Sequence, residues 1–223
     1  MKKFLYISLL LIGDKAVAQF DRLPFSFNIE AAVPKALGNT AFAKSFSGNL
    51  DYNASFTHHY KNKFETGLVF KRANFKAGYT GLTAKATNEP INTKFIYNGL
   101  GIRFFYTYYD NAYFYAQLGI AGYYCFSKYD KVTYKTVSVP DVKLNFFAFE
   151  PMANINYKAS DYVDVGFQFG VSVLAYHFEP SLAYLNEANK IDYFPDEVTP
   201  TNTTHLSFGF TLKWYLQFEK MKE

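Results

Sequence analysis

Cysteine is nearly absent from this sequence: the 223 residues include one, Cys125. No intrachain disulfide can form, and no cysteine-based metal site is possible. An exported domain with this composition has no covalent staples and must hold together by packing and hydrogen bonding. Long apolar runs are lacking as well. No stretch beyond the N-terminus approaches the ~18 uninterrupted apolar residues of a membrane helix. Nor is there a strong excess of charge. The formal charge is +4, and a cut after Ala18 would remove Lys2, Lys3 and Lys15 with Asp14, bringing it closer to neutrality. That excludes the electrostatic footprint of a nucleic-acid binder.

The N-terminus has the three parts of a secretory leader. Lys2 and Lys3 open it, residues 4–12 are apolar apart from Ser8, and Ala16-Val17-Ala18 supplies the small residues of a cleavage site. The expected organisation is a signal peptide over 1–18 and one domain over 19–223. No cysteine follows the apolar run, so a lipoprotein anchor is not expected.

Aromatic residues are abundant: 25 Phe and 20 Tyr make up most of a 21% aromatic share. Their spacing carries the fold. Over 45–60 one alternating set is Phe46, Gly48, Leu50, Tyr52, Ala54, Phe56, His58 and Tyr60, and the intervening set is wholly polar. A period of two sustained over that length describes a strand, because a helix would mix the two sets. Residues 205–218, 162–173, 25–33 and 64–70 alternate in the same way. The segments 94–109, 112–126 and 142–157 are noisier, and Gly99, Gly101, Gly119, Gly122 and Pro151 suggest bulges within them. The total is about eight strands. The connections alternate in length: 61–63, 110–111 and 158–161 are tight turns, whereas 37–44, 77–93, 127–141 and 179–203 are long.

A soluble sandwich or lipocalin-like barrel would share the alternation, so other features must decide which face meets solvent. Several segments are longer than the ~5–6 residues of soluble strands and suffice for the ~9–11 that cross a bilayer. The polar face is rich in Gly, Ser, Asn and Thr, which suit a narrow lumen. Aromatic residues gather at the short-turn ends, where an interfacial girdle belongs: Tyr60, Tyr108, Tyr113, Tyr157, Trp214 and Phe218. The expected fold is all-β, a transmembrane antiparallel up-and-down β-barrel of about eight strands, closed because an open edge in lipid leaves backbone groups unpaired. Short turns would face the periplasm and long loops the exterior.

With a leader, eight alternating segments and this loop parity, the chain resembles the small outer-membrane barrels of the OmpA, OmpX and OmpW type. Ser207-Phe208-Gly209-Phe210-Thr211-Leu212-Lys213-Trp214 resembles the C-terminal signal read by the barrel-assembly machinery, except that residues 219–223 follow the last aromatic. The Ala-Gln cleavage site and Tyr-rich strands are also similar to PorT-like, secretion-associated barrels of Bacteroidota. The resemblance implies a Gram-negative outer-membrane location and a structural or interaction role, as an accessory to a larger outer-membrane or secretion complex. The implied partners are outer-membrane lipid and lipopolysaccharide, the barrel-assembly machinery during insertion, and a protein partner in the outer membrane. No nucleic acid and no cofactor are expected.

The polar face assigns eight charged residues to the lumen: Glu30, Asp51, Glu65, Glu150 and Asp164 against Lys71, Arg103 and Lys213. About eight strands leave room inside only for side chains, so these charges are expected to plug the barrel rather than line a selective pore. Buried charges of near-balanced sign must pair. His205-x-Ser207 places two catalytic residue types on one face, with Glu30 on the neighbouring strand to orient the imidazole, and lipid A deacylase barrels carry a similar pair. Here both share the polar, lumen-facing set with Lys213 and Gln217, so no catalytic residue is expected and the chain is read as a non-enzyme. His58 and His59 face opposite ways and cannot share a metal. His177 and Glu179 could meet a cation but read as a solvated rim, and no metal site is expected. The long 179–203 loop, with acids and aromatics, is a candidate binding surface.

Overall fold

Residues that alternate in polarity along a chain can satisfy two unlike environments at once if the chain is extended and paired on both sides. The computed structural model realises this arrangement. It describes residues 23–60, 63–77, 83–84, 89–90, 93–130, 133–134, 137–138, 141–179 and 201–217. The expected leader, Phe218, residues 61–62 of the first turn and most of the 179–203 loop lie outside them.

Eight long strands form one closed antiparallel sheet. They are β1 (Phe25–Ala36), β2 (Ser47–Tyr60), β3 (Phe64–Lys76), β4 (Lys94–Asp110), β5 (Phe114–Tyr129), β6 (Val142–Lys158), β7 (Val163–Leu174) and β8 (Thr203–Leu216). Each pairs with its sequence neighbour, and β1 pairs with β8 from Phe25↔Leu216 to Ala36↔His205. The chain is thus an up-and-down barrel with no open sheet edge. Strands of 12 to 17 residues exceed the ~9–11 needed to cross a bilayer.

The alternation sorts cleanly into inside and outside. On β8, His205, Ser207, Gly209, Thr211, Lys213 and Tyr215 are buried, while Phe208, Phe210, Leu212 and Trp214 are exposed. The exposed apolar side chains include Leu68 at 69%, Phe147 at 67% and Phe210 at 65% exposure. An apolar belt around the whole barrel far exceeds the few hundred Å² that soluble monomers leave uncovered, and it matches a lipid-facing surface.

Side chains and backbone close the short turns. Asn111 Oδ1 accepts from the amides of Tyr113 and Phe114, at 2.8 and 2.7 Å. Ser160 Oγ does the same for Tyr162 and Val163 at 3.2 and 3.1 Å. Two of the long loops carry two-residue ladders, Thr83–Ala84 with Glu89–Pro90 and Thr133–Tyr134 with Val137–Ser138.

Two expectations are corrected. The alternating segment does not begin at Ser45: Thr40–Ser45, mostly within the 37–44 connection, forms a short helix, α1, capped by Asn39, whose side chain accepts from the Phe42 amide at 3.0 Å. Ser45 and Phe46 are both buried, so the clean alternation begins only beyond the bulge between Gly48 and Leu50. The other register shift lies between Thr107 and Tyr109, not at Gly99, Gly101, Gly119, Gly122 or Pro151. The mid-strand glycines instead allow close approach. A Cβ on Gly101 would collide with the backbone of Gly122 across the β4–β5 ladder, whereas one on Gly122 would meet nothing within 4 Å.

This pair of adjacent glycines makes a test. Gly101→Ala should lower the unfolding temperature, at a cost on the order of 1–3 kcal/mol for forced overpacking, while Gly122→Ala should leave it unchanged. Heat-modifiable migration on gels of the two purified variants reads the difference.

Candidate functional site

The inward rows of eight strands converge on a lumen too narrow for a water column, and the side chains there settle into tiers. Lys71, on β3, occupies the upper polar tier. Its Nζ donates to Asp51 Oδ2 at 2.8 Å and to Glu150 Oε1 at 2.9 Å, bridging β2 and β6. Tyr123 donates to the other oxygen of Glu150 at 2.9 Å, and Ser207 donates to Asp51.

Arg103 and Glu30 form the next tier. The guanidinium bonds Glu30 Oε1 and lies 5.2 Å from the Phe105 ring centroid. Asn53 donates to the second Glu30 oxygen at 2.9 Å. Near the short turns, Lys213 donates to both oxygens of Glu65 at 2.8 Å, His59 Nδ1 stands 3.3 Å from the same carboxylate, and Gln117 also donates to it. Asp164 is met by two phenols, Tyr115 at 2.8 Å and Tyr215 at 2.7 Å.

All eight charged residues assigned to the lumen from the polar face are buried. Seven of them meet in three ion-paired groups. Asp164 is held by tyrosine hydroxyls in place of a cation, so acids and bases are not matched one to one. His59 and Tyr215 fall in the polar rows read from the sequence, whereas Gln117, Tyr97, Tyr115 and Tyr123, on the noisier strands, were missed. Stepping by two from Arg103 along β4 leads to Tyr97 and Phe95, and that parity was the available signal.

The long-loop end of the lumen is closed by aromatic rings. Phe42, projected by α1, packs 5.1 to 5.6 Å from Phe46, Phe75, Phe95 and Phe178. Phe95 stacks on Tyr129 at 4.6 Å, and the Tyr129 and Tyr176 hydroxyls are 2.9 Å apart. Asn39 ties the cap down by donating to the Phe178 carbonyl at 2.9 Å. The polar strand alternation alone does not reveal this cap, because α1 and Phe178 come from loops.

His205 and Ser207 share the lumen-facing row, but their partner is Asp51 and not Glu30, which Arg103 holds. His205 Nε2 lies 3.5 Å from Asp51 Oδ2 and 3.2 Å from the Tyr97 hydroxyl, with Phe75 edge-on at 5.2 Å. Exposure is 0% for His205 and 1% for Ser207, so a lipid in the membrane has no route to either. His59 is inside, whereas His58 faces outward between Phe25 and Tyr60. His177 and Glu179 are exposed at the rim. Among the described residues no group of three His, Cys, Asp or Glu side chains is placed to hold a metal.

On the exterior, Tyr60, Tyr108, Tyr113, Tyr157 and Trp214 project at the short-turn end with 43–65% exposure. A furrow of about 580 Å³ lies in the apolar belt beside Ile29, Ala31, Ile155, Phe167, Phe210 and Leu212. The space that could take a ligand there thus faces lipid and not the lumen.

Removing one member of an ion-paired tier should strand the other. Arg103→Ala is expected to destabilise the barrel by about 3–5 kcal/mol, the cost of an uncompensated buried carboxylate. Adding Glu30→Gln should recover part of the loss. Thermal unfolding of the single and double variants in detergent checks both signs.

No known protein-family profile matches the chain, and no curated protein matches its sequence. Solved structures do match by shape. The crystal structure of Neisserial surface protein A aligns with a TM-score of 0.52 and 11% identity over 86% of this chain and 97% of that one. The attachment invasion locus protein of Yersinia pestis aligns at 0.44 with 10% identity over 86% and 99% of the two chains. OprG from Pseudomonas aeruginosa aligns at 0.43 with 10% identity over 87% and 98%. At these identities the likeness concerns fold, and the first of the three carries it: the chain has the eight-stranded architecture of the small outer-membrane β-barrels.

Proposed function

We propose that this chain is an outer-membrane β-barrel with a non-enzymatic structural or interaction role. The observation that carries this reading is the filled lumen. Seven of its eight charged residues are spent on one another and Asp164 on two tyrosines, its long-loop mouth is packed with phenylalanine and tyrosine, and the one catalytic-looking pair is enclosed around Asp51. A barrel that neither opens a path nor exposes a reactive group acts through its outer surface and its loops.

Export by the N-terminal leader and insertion by the barrel-assembly machinery follow from the sequence signals at the two ends. Service to a larger outer-membrane or secretion complex rests on the PorT-like character of the sequence. The apolar belt supports contact with outer-membrane lipid and lipopolysaccharide. A protein partner would meet the long loops, which are the part of the barrel best placed outside lipid.

The plug is tested in planar bilayers. The purified protein should give little or no steady conductance, and large ion-selective steps would restore the pore reading. Orientation is tested by labelling. The native Cys125 is buried, so thiol reagents report introduced sites. In intact cells Leu37→Cys should label, and Ala112→Cys should label only after the outer membrane is permeabilised.

A further inference from the structure

The outward face is not uniformly apolar. On β3 the outward row runs Leu68, Phe70 and then Arg72, Asn74, Lys76 toward the long-loop end. On β4 Lys94 and Asn98 precede Leu100, on β5 Lys128 follows Tyr124 and Phe126, and on β6 Lys143 and Asn145 precede Phe147. Register gathers these into a zone three rows deep, with the apolar Ile96 and Phe126 among them. Arg72 stands opposite Asn98, Lys76 opposite Lys94, and Lys128 opposite Lys143. The outward rows of β7 and β8 carry no charge at this height, and Lys35 on β1 stands apart from the zone.

Like charges directly opposite one another in a sheet are destabilising, so a row of facing lysines is a cost unless anions meet it. Asp130 and Asp141 both sit on Lys128, at 3.1 and 2.9 Å. Arg72, Lys94 and Lys143 are exposed and have no ion pair among the described residues. Directly below the Arg72 row, Phe70, Leu100, Tyr124 and Phe147 form one register row of the apolar belt, and Lys143 and Lys94 stand one and two rows higher than Arg72. A cationic zone bordering an apolar row fits a molecule with an anionic head and hydrocarbon tails lying along the barrel.

We infer that the β3–β6 face is a binding site for a phosphorylated lipid of the outer leaflet, a phosphoglycolipid. Arg72, Lys94 and Lys143 would grip its phosphates, and the Asn side chains between them would bond its sugar hydroxyls. An arginine suits a phosphate because its planar fork matches two oxygens at once. The inference rests on the outer-membrane placement proposed above and on the long loops facing outward.

The test uses the purified full barrel in phosphatidylcholine nanodiscs, with and without diphosphoryl lipid A as the probe. Lipid A should raise the unfolding temperature and remain bound in native mass spectrometry. The triple variant Arg72→Gln, Lys94→Gln, Lys143→Gln should lose affinity by about 100-fold, given the contribution of each cation near an anionic surface. Lys35→Gln should behave as the unmodified protein. An undiminished lipid A response in a correctly folded triple variant would overturn the site, as would equal loss in Lys35→Gln. Equal stabilisation by phosphatidylglycerol at matched charge would replace the specific lipid with a general anionic surface, and an equal shift from free inorganic phosphate would replace it with a soluble anion. Failure of the unmodified chain to fractionate with outer membranes would instead overturn the placement beneath it.

Discussion

Pairing of the first strand with the last is the constraint on which everything else depends. In hydrocarbon an unpaired amide or carbonyl has no water to turn to, so β1 must find β8 across nearly the whole chain. Once it does, the twelve-residue ladder from Phe25↔Leu216 to Ala36↔His205 leaves no free edge. Closure with eight strands then sets the width, and the width decides that the interior holds side chains.

That interior is polar below and aromatic above, and the two halves solve different problems. In the polar half, long charged side chains cross the lumen and tie distant strands together: Lys71 links β2, β3 and β6, and Lys213 links β8 to β3. Such pairs are costly to desolvate and costlier to break, so they favour one register and one arrangement of strands. In the aromatic half no charge needs a partner. Rings from α1, from the strand ends and from Phe178 fill the mouth by shape, and Asn39 holds the loop that delivers them.

The exterior is as ordered as the lumen. At the short-turn end it finishes in Tyr and Trp, whose rings suit an interface. At the other end, on β3 to β6, it finishes in Arg, Lys and Asn. An asymmetric exterior is what an asymmetric bilayer would ask for, and it ties the short and long connections to the same polarity.

Alternation by two is a local property, written residue by residue, and so it was readable without coordinates. It placed eight strands, separated lipid-facing from lumen-facing rows, and identified Glu30, Asp51, Glu65, Lys71, Arg103, Glu150, Asp164 and Lys213 as one inward set. It could not say which of them would meet. Asp51 lies with Lys71, Glu150 and His205, Glu30 with Arg103, and Asp164 with two tyrosines, because partners across a lumen depend on the stagger of all the strands at once. The helix α1 within the 37–44 connection was not foreseen, and its last residue, Ser45, was counted into the β2 alternation, since six residues folding back into a barrel mouth leave no periodic trace. The sequence by itself determined the sidedness of the cleanly alternating strands. Only the tertiary structure decided the pairings within the lumen and the aromatic cap above it, because both arise from residues brought together by closure and not by spacing.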